Sequence, residues 1–182
     1  MATLTTDDLV EIRDLACRYA VAIDSRNLDM LVGLYSRNVD TLSPHGIGRG
    51  AMEAYFAAGL KTIGRSAHHV TTTTAEHTGE DTAAGWVYAL ANEERFDPPH
   101  WAMLSLAYHD DYVREEGRWR FARRRHIHTF WTDRIGHPDD PSGFARHPEI
   151  GTQHRLPWAW PTWRPFWGGA APGQDDAPLD NG

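Results

Sequence analysis

The sequence predicts an α+β fold in which three N-terminal helices pack on one face of a curved antiparallel sheet. Three observations predict it. Up to about residue 63, apolar side chains recur at three- and four-residue intervals, the period of a helix facing a core. From Ala67 the texture changes to four long segments rich in β-branched and aromatic residues with alternating polarity. Turn chemistry separates those segments: Gly79–Glu80–Asp81 and Glu115–Glu116–Gly117 read as hairpin connections, and Asp97–Pro98–Pro99 as a looser one.

In the first helix, Leu9, Ile12, Ala16, Tyr19 and Ile23 form the apolar stripe. Thr5 or Thr6 can cap it, and Asp7 and Asp8 suit the positive end of its dipole. Cys17, Ala20 and Asp24 form the neighbouring row, which puts Asp24 at the edge of the buried arc. A carboxylate there needs hydrogen-bond donors. Tyr19 and Asp24 lie five residues apart, so they converge only if the chain turns at Ser25–Arg26–Asn27.

A second helix fits 28–35 and a short strand fits 39–42, followed by loop chemistry at 43–46 and 48–50. A third helix fits 51–63, with Met52, Tyr55, Phe56, Leu60 and Ile63 on one side and Gly64 as terminator. The strands are expected at 67–76, 82–94, 101–114 and 118–131. Beyond Trp131, Pro and Gly become frequent, and Trp158, Trp160, Trp163 and Trp167 crowd one stretch. Two regions follow: a domain over 1–131 and a Pro/Trp-rich extension over 132–182, expected to lie across the domain or a neighbouring subunit.

The chain of 182 residues is 41% apolar and 24% charged, with a net charge of −7. That suits one globular domain with a tail, and argues against a nucleic-acid partner, which needs a basic footprint. Cys17 is the single cysteine, so an intrachain disulfide and a cysteine zinc cage are excluded. The first eight residues lack the pattern of a signal peptide, and no run of 18 apolar residues occurs. A soluble cytoplasmic protein with no membrane partner is expected.

Ile12–Arg13–Asp14–Leu15, Tyr19, Asp24, the His68–His69–Val70–Thr71–Thr72 strand start, Tyr108–His109–Asp110–Asp111–Tyr112 and Gly117–Arg118–Trp119–Arg120–Phe121 together carry a family likeness. Over roughly residues 5–131 the chain resembles the SnoaL-like branch of the nuclear-transport-factor-2-like superfamily. The resemblance implies a cone-shaped barrel. The spacing Tyr19…Asp24…His68 is similar to that of bile-acid dehydratases and hexachlorocyclohexane dehydrochlorinases, with scytalone dehydratase a more distant relative. It implies an Asp–His dyad, a homotrimer and no cofactor. Many relatives carry Asn four residues after the strand histidine, where this chain has Thr72.

His68 is the expected general base, since imidazole titrates near ~6.5 and a carboxylate on its other nitrogen fixes the tautomer. His69 should face the opposite side, and becomes the base if the register slips by one. Tyr19 can hydrogen-bond a substrate oxygen or protonate a leaving group. Of Arg123–Arg124–Arg125, Arg125 is the inward candidate because it shares parity with Phe121, and it would bind a carboxylate or a departing oxyanion. Tyr35, Tyr55, Trp86, Tyr88, Trp101, Tyr108 and Trp131 are expected to wall an apolar pocket for a small hydrophobic substrate. His126, His128 and His109 invite a metal, yet zinc needs three or four convergent ligands, and no metal is expected. No phosphate-binding Gly loop or Ser nucleophile elbow is present.

The leading expectation is a cofactor-independent lyase of the dehydratase type. An isomerase or cyclase of polyketide- or steroid-like ketones would use the same base without a leaving group. A non-catalytic subunit, such as the small subunit of a ring-hydroxylating oxygenase, would make Asp24 and His68 structural and give the Trp-rich tail a partner chain.

Overall fold

The computed structural model describes residues 3–97, 99–134 and 160–169. The elements are α1 (Thr6–Asp24), α2 (Leu28–Gly33), β1 (Tyr35–Asp40), α3 (Arg49–Gly59) with a 3-10 turn (Leu60–Thr62), β2 (Ile63–Gly79), β3 (Thr82–Phe96), β4 (Pro99–Glu115), β5 (Arg118–Arg134) and a short α4 (Trp163–Phe166). The five strands form one curved sheet in the order β1-β5-β4-β3-β2. β2 to β5 are an antiparallel meander, as alternation and turns predict. β1 and β2 do not pair, so the sheet stays unclosed. β1 adds a parallel edge to β5, which the sequence did not foretell, and the amide of Phe121 donates to the Leu34 carbonyl at 3.1 Å where the two meet.

α1 begins with a capping box. The Thr5 hydroxyl accepts from the Asp8 amide (3.2 Å), and the Asp8 carboxylate accepts from the Thr5 amide (2.9 Å). Asp8 also accepts from the Trp119 indole (3.0 Å) and pairs with Arg114, which ties the start of α1 to the β4–β5 hairpin. The Trp119 and Thr5 hydrogen bonds, joined by Arg114, hold the Asp8 carboxyl well below the usual carboxylate range.

Several boundaries differ from expectation. α2 closes at Gly33, and Tyr35 opens β1, so the strand lies earlier than 39–42. α3 ends at Gly59, and the chain tightens into a 3-10 turn before entering β2 at Ile63. Gly64 is therefore a strand residue. A Cβ there would lie 2.5 Å from the Glu94 carboxylate, so glycine permits a close approach and does not stop a helix.

The core has two parts. One lies between the helices and the β4–β5 hairpin end, built on Ile12, Ile23, Leu31, Tyr35, Phe56, Tyr112 and Phe121. The other covers the concave face of the sheet, with Val87, Ala89, Ala91, Leu104, Leu106 and Tyr108 facing Ala16 of α1. Tyr19 packs against both. From the C-terminal stretch, Trp163 is fully buried, and Thr162 Oγ1 donates to the Ser25 carbonyl at 2.6 Å. Trp158 lies outside the described residues. Among the described residues no helix is long and apolar enough to cross a membrane.

Gly85 of β3 packs closely against β2. A Cβ there would lie 1.9 Å from the Thr74 carbonyl oxygen. Gly85→Ala is expected to destabilise by about 3 kcal/mol or more, the upper end for an overpacked site, read from urea unfolding. An unchanged midpoint would mean that the two strands are further apart.

Candidate active site

Asp24 ends α1, where the helix carbonyls point and a negative charge is disfavoured. The first residues of β2 supply the compensation. Asp24 Oδ2 accepts from the His68 amide (2.8 Å), and Oδ1 accepts from Ser66 Oγ (2.7 Å) while lying 2.7 Å from His68 Nδ1. Burial alone would raise the Asp24 carboxyl, but the contacts from His68 and Ser66 outweigh it and hold it below its ordinary value. Asp24 is thus ionised at neutral pH. An acceptor opposite Nδ1 assigns the imidazole proton to that nitrogen, which leaves Nε2 with its lone pair free to take a proton.

The His68 side chain is 7% exposed, whereas His69 is exposed on the convex face. Nε2 of His68 faces Glu93 Oε1 at 3.8 Å, beyond hydrogen-bond reach. The other Glu93 oxygen lies 2.6 Å from Arg95.

The wall beyond is built on a buried ion pair. Arg124 grips Asp110 through two hydrogen bonds (2.8 and 2.7 Å), and Asp110 is fully buried. The guanidinium carbon sits over the rings of Tyr19, Tyr108 and Phe121 at 4.3, 4.2 and 4.0 Å. Burial opposes the Arg124 charge, but Asp110 outweighs it and raises the guanidinium above its ordinary value. Among the described residues Arg124 Nη1 is buried without a hydrogen-bond partner. The Tyr19 hydroxyl is pushed up to about 12, mainly by burial, so it stays protonated and serves as a donor. His126 stacks on Tyr108 with ring centroids 5.0 Å apart and lies beside His128 at 4.5 Å. Burial, and then the charges of His128, His68, Arg124 and Arg95, push its imidazole down to about 4, so it is neutral at pH 7.

The structure therefore brings Asp24, His68 and Tyr19 to the concave side, but not Arg125. Arg125 is exposed and paired across the sheet with His109 on the convex face. The reason is a bulge: Tyr112 pairs with Phe121 and Asp111 with Arg123, so Ala122 is an extra residue that flips the parity of everything after it. Arg124 takes the inward place. Of the expected pocket aromatics, Tyr108 lines the concave face, and Trp131 sits farther along that face under Arg95, its ring 4.8 Å from the guanidinium carbon. Tyr35 is buried between Phe56 and Phe121, as core. Tyr55 is exposed on α3. Trp86 and Tyr88 are on the convex face, where Trp86 stacks on His109, and Trp101 is there too, beneath Arg65. Thr72 also faces out, because Thr71 is an extra residue in β2.

Sequence reasoning missed Glu93, Arg95, Arg124 and Asp110 as parts of the site. One signal was available: Glu93 shares parity with Ala89 and Ala91, and a carboxylate at an inward strand position is unusual. Among the described residues no three His, Cys, Asp or Glu side chains gather as a metal site, and His109 is on the opposite face from His126 and His128.

Removing one member of the Arg124–Asp110 pair leaves a buried charge without compensation. Asp110→Asn is expected to cost about 3–5 kcal/mol in urea unfolding, against less than about 0.5 kcal/mol for Arg125→Gln. Similar losses from the two variants would contradict the assigned facing of the arginines.

Comparison with known proteins agrees with this geometry at the level of fold. No curated protein sequence matches the chain. Among solved structures, a hexachlorocyclohexane dehydrochlorinase, LinA-type3, from Novosphingobium barchaimii LL02 superposes with a TM-score of 0.63 at 16% identity, covering 70% of this chain and 90% of that one. A candidate scytalone dehydratase from Novosphingobium aromaticivorans DSM 12444 gives 0.61 at 22% identity, covering 73% and 94%. A protein of unknown function with a cystatin-like fold from Nostoc punctiforme PCC 73102 gives 0.55 at 20% identity, covering 70% and 95%. Residues 5–125 match the SnoaL-like domain, and the chain belongs to that family.

Proposed function

We propose that this protein is a lyase of the dehydratase type, acting on a small hydrophobic cyclic substrate with His68 as general base and needing no cofactor. The observation that carries the reading is the 2.7 Å contact between Asp24 Oδ1 and His68 Nδ1 beside an apolar concave face. His68 Nε2 takes a proton from the substrate carbon, the electrons of the C–H bond form the new double bond, and the C–O bond to the leaving hydroxyl breaks. Asp24 stabilises the imidazolium that results. The departing oxygen meets two donors, the Tyr19 hydroxyl and Arg124 Nη1, and leaves as water with the proton that the His68 imidazolium returns, which restores the neutral base. Val70, Ala89, Ala91, Leu104 and Leu106 form an apolar cluster on the same face of the sheet, chemistry that suits such a ring. Solved structures of similar fold include dehydrochlorinases and a candidate scytalone dehydratase, which fits an elimination.

An isomerase of cyclic ketones is the second reading, because Arg124 Nη1 would stabilise an enolate as well as a leaving oxygen. The same proposal includes a homotrimer: Trp86, Tyr88, Leu90 and Phe130 leave an exposed apolar stretch on the convex face that a second copy would cover. The acidic charge gives nucleic acid no footprint.

The test is turnover of a panel of cyclic β-hydroxy ketones, followed by product mass. The expected product is lighter by one water, and His68→Ala is expected to lower kcat by about 10²–10⁴. A product of unchanged mass would select the isomerase. Full turnover by His68→Ala would remove both readings and leave Asp24 and His68 as structural residues.

A further inference from the structure

Arg26 stands two residues past the end of α1, with its backbone in the left-handed region (φ +57°). That conformation is costly for a residue with a Cβ, so surrounding contacts must hold it. The residue is 1% exposed. Its guanidinium donates to the carbonyls of Ile23 and Gly64, to the Ile63 carbonyl at 3.0 Å and to Ser66 Oγ at 3.2 Å. One side chain thus bridges the last turn of α1 and the first residues of β2. Ser66 Oγ then donates to Asp24 Oδ1 at 2.7 Å, the oxygen that faces His68 Nδ1. Burial pulls the guanidinium down to about 10, and the charges of Asp24 from α1 and Glu93 from β3 offset only part of that.

The cover over Arg26 comes from the far end of the chain. The Trp163 ring is fully buried, with the Arg26 guanidinium carbon 4.9 Å from its centroid. Thr162 Oγ1 donates to the Ser25 carbonyl at 2.6 Å, and Trp167 meets Phe96 edge-on at 6.0 Å. Residues 160–169 are therefore anchored on both sides of the cation. Trp163 and Arg26 have no part in the elimination chemistry, yet they bear directly on the junction that holds Asp24.

We propose that Arg26 and Trp163 are positioning residues for the Asp24–His68 pair: Trp163 keeps water off Arg26, and Arg26 holds Ser66 and the α1–β2 junction in the arrangement that keeps Asp24 Oδ1 on His68 Nδ1. The inference rests on that pair being the working base. Without Trp163, water competes for the guanidinium donors, Ser66 loses its fixed rotamer, and Asp24 gains a second orientation. The C-terminal stretch is then a working part of the site, although it lies outside the matched domain at 5–125.

The experiment follows the His68 Nδ1 proton by ¹H–¹⁵N NMR in the full-length chain. Wild type should give a downfield Nδ1–H resonance that exchanges slowly with water. Trp163→Ala should speed that exchange by about tenfold or more while the protein still unfolds cooperatively. Trp163→Phe, which keeps an aromatic face on the cation, should restore most of the protection. On any substrate that turns over, Trp163→Ala should lower kcat with KM nearly unchanged. If Trp163→Ala does not fold, Ser66→Ala and Arg26→Lys decide by the same signal. A resonance present in wild type and unmoved in the folded variants would overturn the positioning role alone. Its absence in wild type would overturn the base pair itself, and this inference with it.

Discussion

The structure depends on satisfying one carboxylate in a place that does not favour it. Asp24 is partly buried at the negative end of a helix, where both desolvation and the helix dipole oppose its charge. Three donor contacts from Ser66 and His68 make it tolerable, and all three come from the start of β2. Docking α1 on the sheet and bringing Asp24 to His68 are therefore one event. A strand displaced by a single residue would turn His68 away and leave Asp24 unsatisfied. This couples the register of β2 to the chemistry more tightly than apolar burial could.

Around that point the concave face divides by polarity. Its middle is aliphatic, and its ends carry paired charges: Glu93 with Arg95 near His68, and Asp110 with Arg124 beneath Tyr19 and Tyr108. Arg95 and Arg124 each have a carboxylate partner, which offsets the cost of burying their charge. Within the pairs, Arg95 Nε and Arg124 Nη1 are buried donors without a hydrogen-bond acceptor among the described residues, and the Arg124 guanidinium is held by three rings and by Asp110. A preoriented donor of this kind suits charge that appears during a reaction. His126, kept neutral by burial and its cationic neighbours, adds no competing positive charge.

Much of this was legible in the chain. The stripe from Leu9 to Ile23 located α1 and put Asp24 at the edge of its buried arc. Period-two alternation placed the four long strands and set His68 and His69 on opposite faces. What failed has a common cause. Bulges leave no mark in simple alternation, so Ala122 moved the inward arginine from Arg125 to Arg124 and Thr71 moved Thr72 outward. An aromatic residue in a strand also does not announce its face, so Trp86, Tyr88 and Trp101 read as pocket wall while lying on the convex side. β1 was misplaced because Tyr35 continues the apolar spacing of α2. The contact between Trp163 and Arg26 joins residues far apart in the chain and has no local signal at all.

The central claim is that Asp24 and His68 act as one unit, and a double-mutant cycle on kcat addresses it directly. Groups that act together are strongly non-additive. His68→Ala, Asp24→Asn and the double variant should give a double no slower than the slower single, because removing either member already disables the pair. If the two losses instead multiply, the side chains contribute independently, and the contact between them is structural.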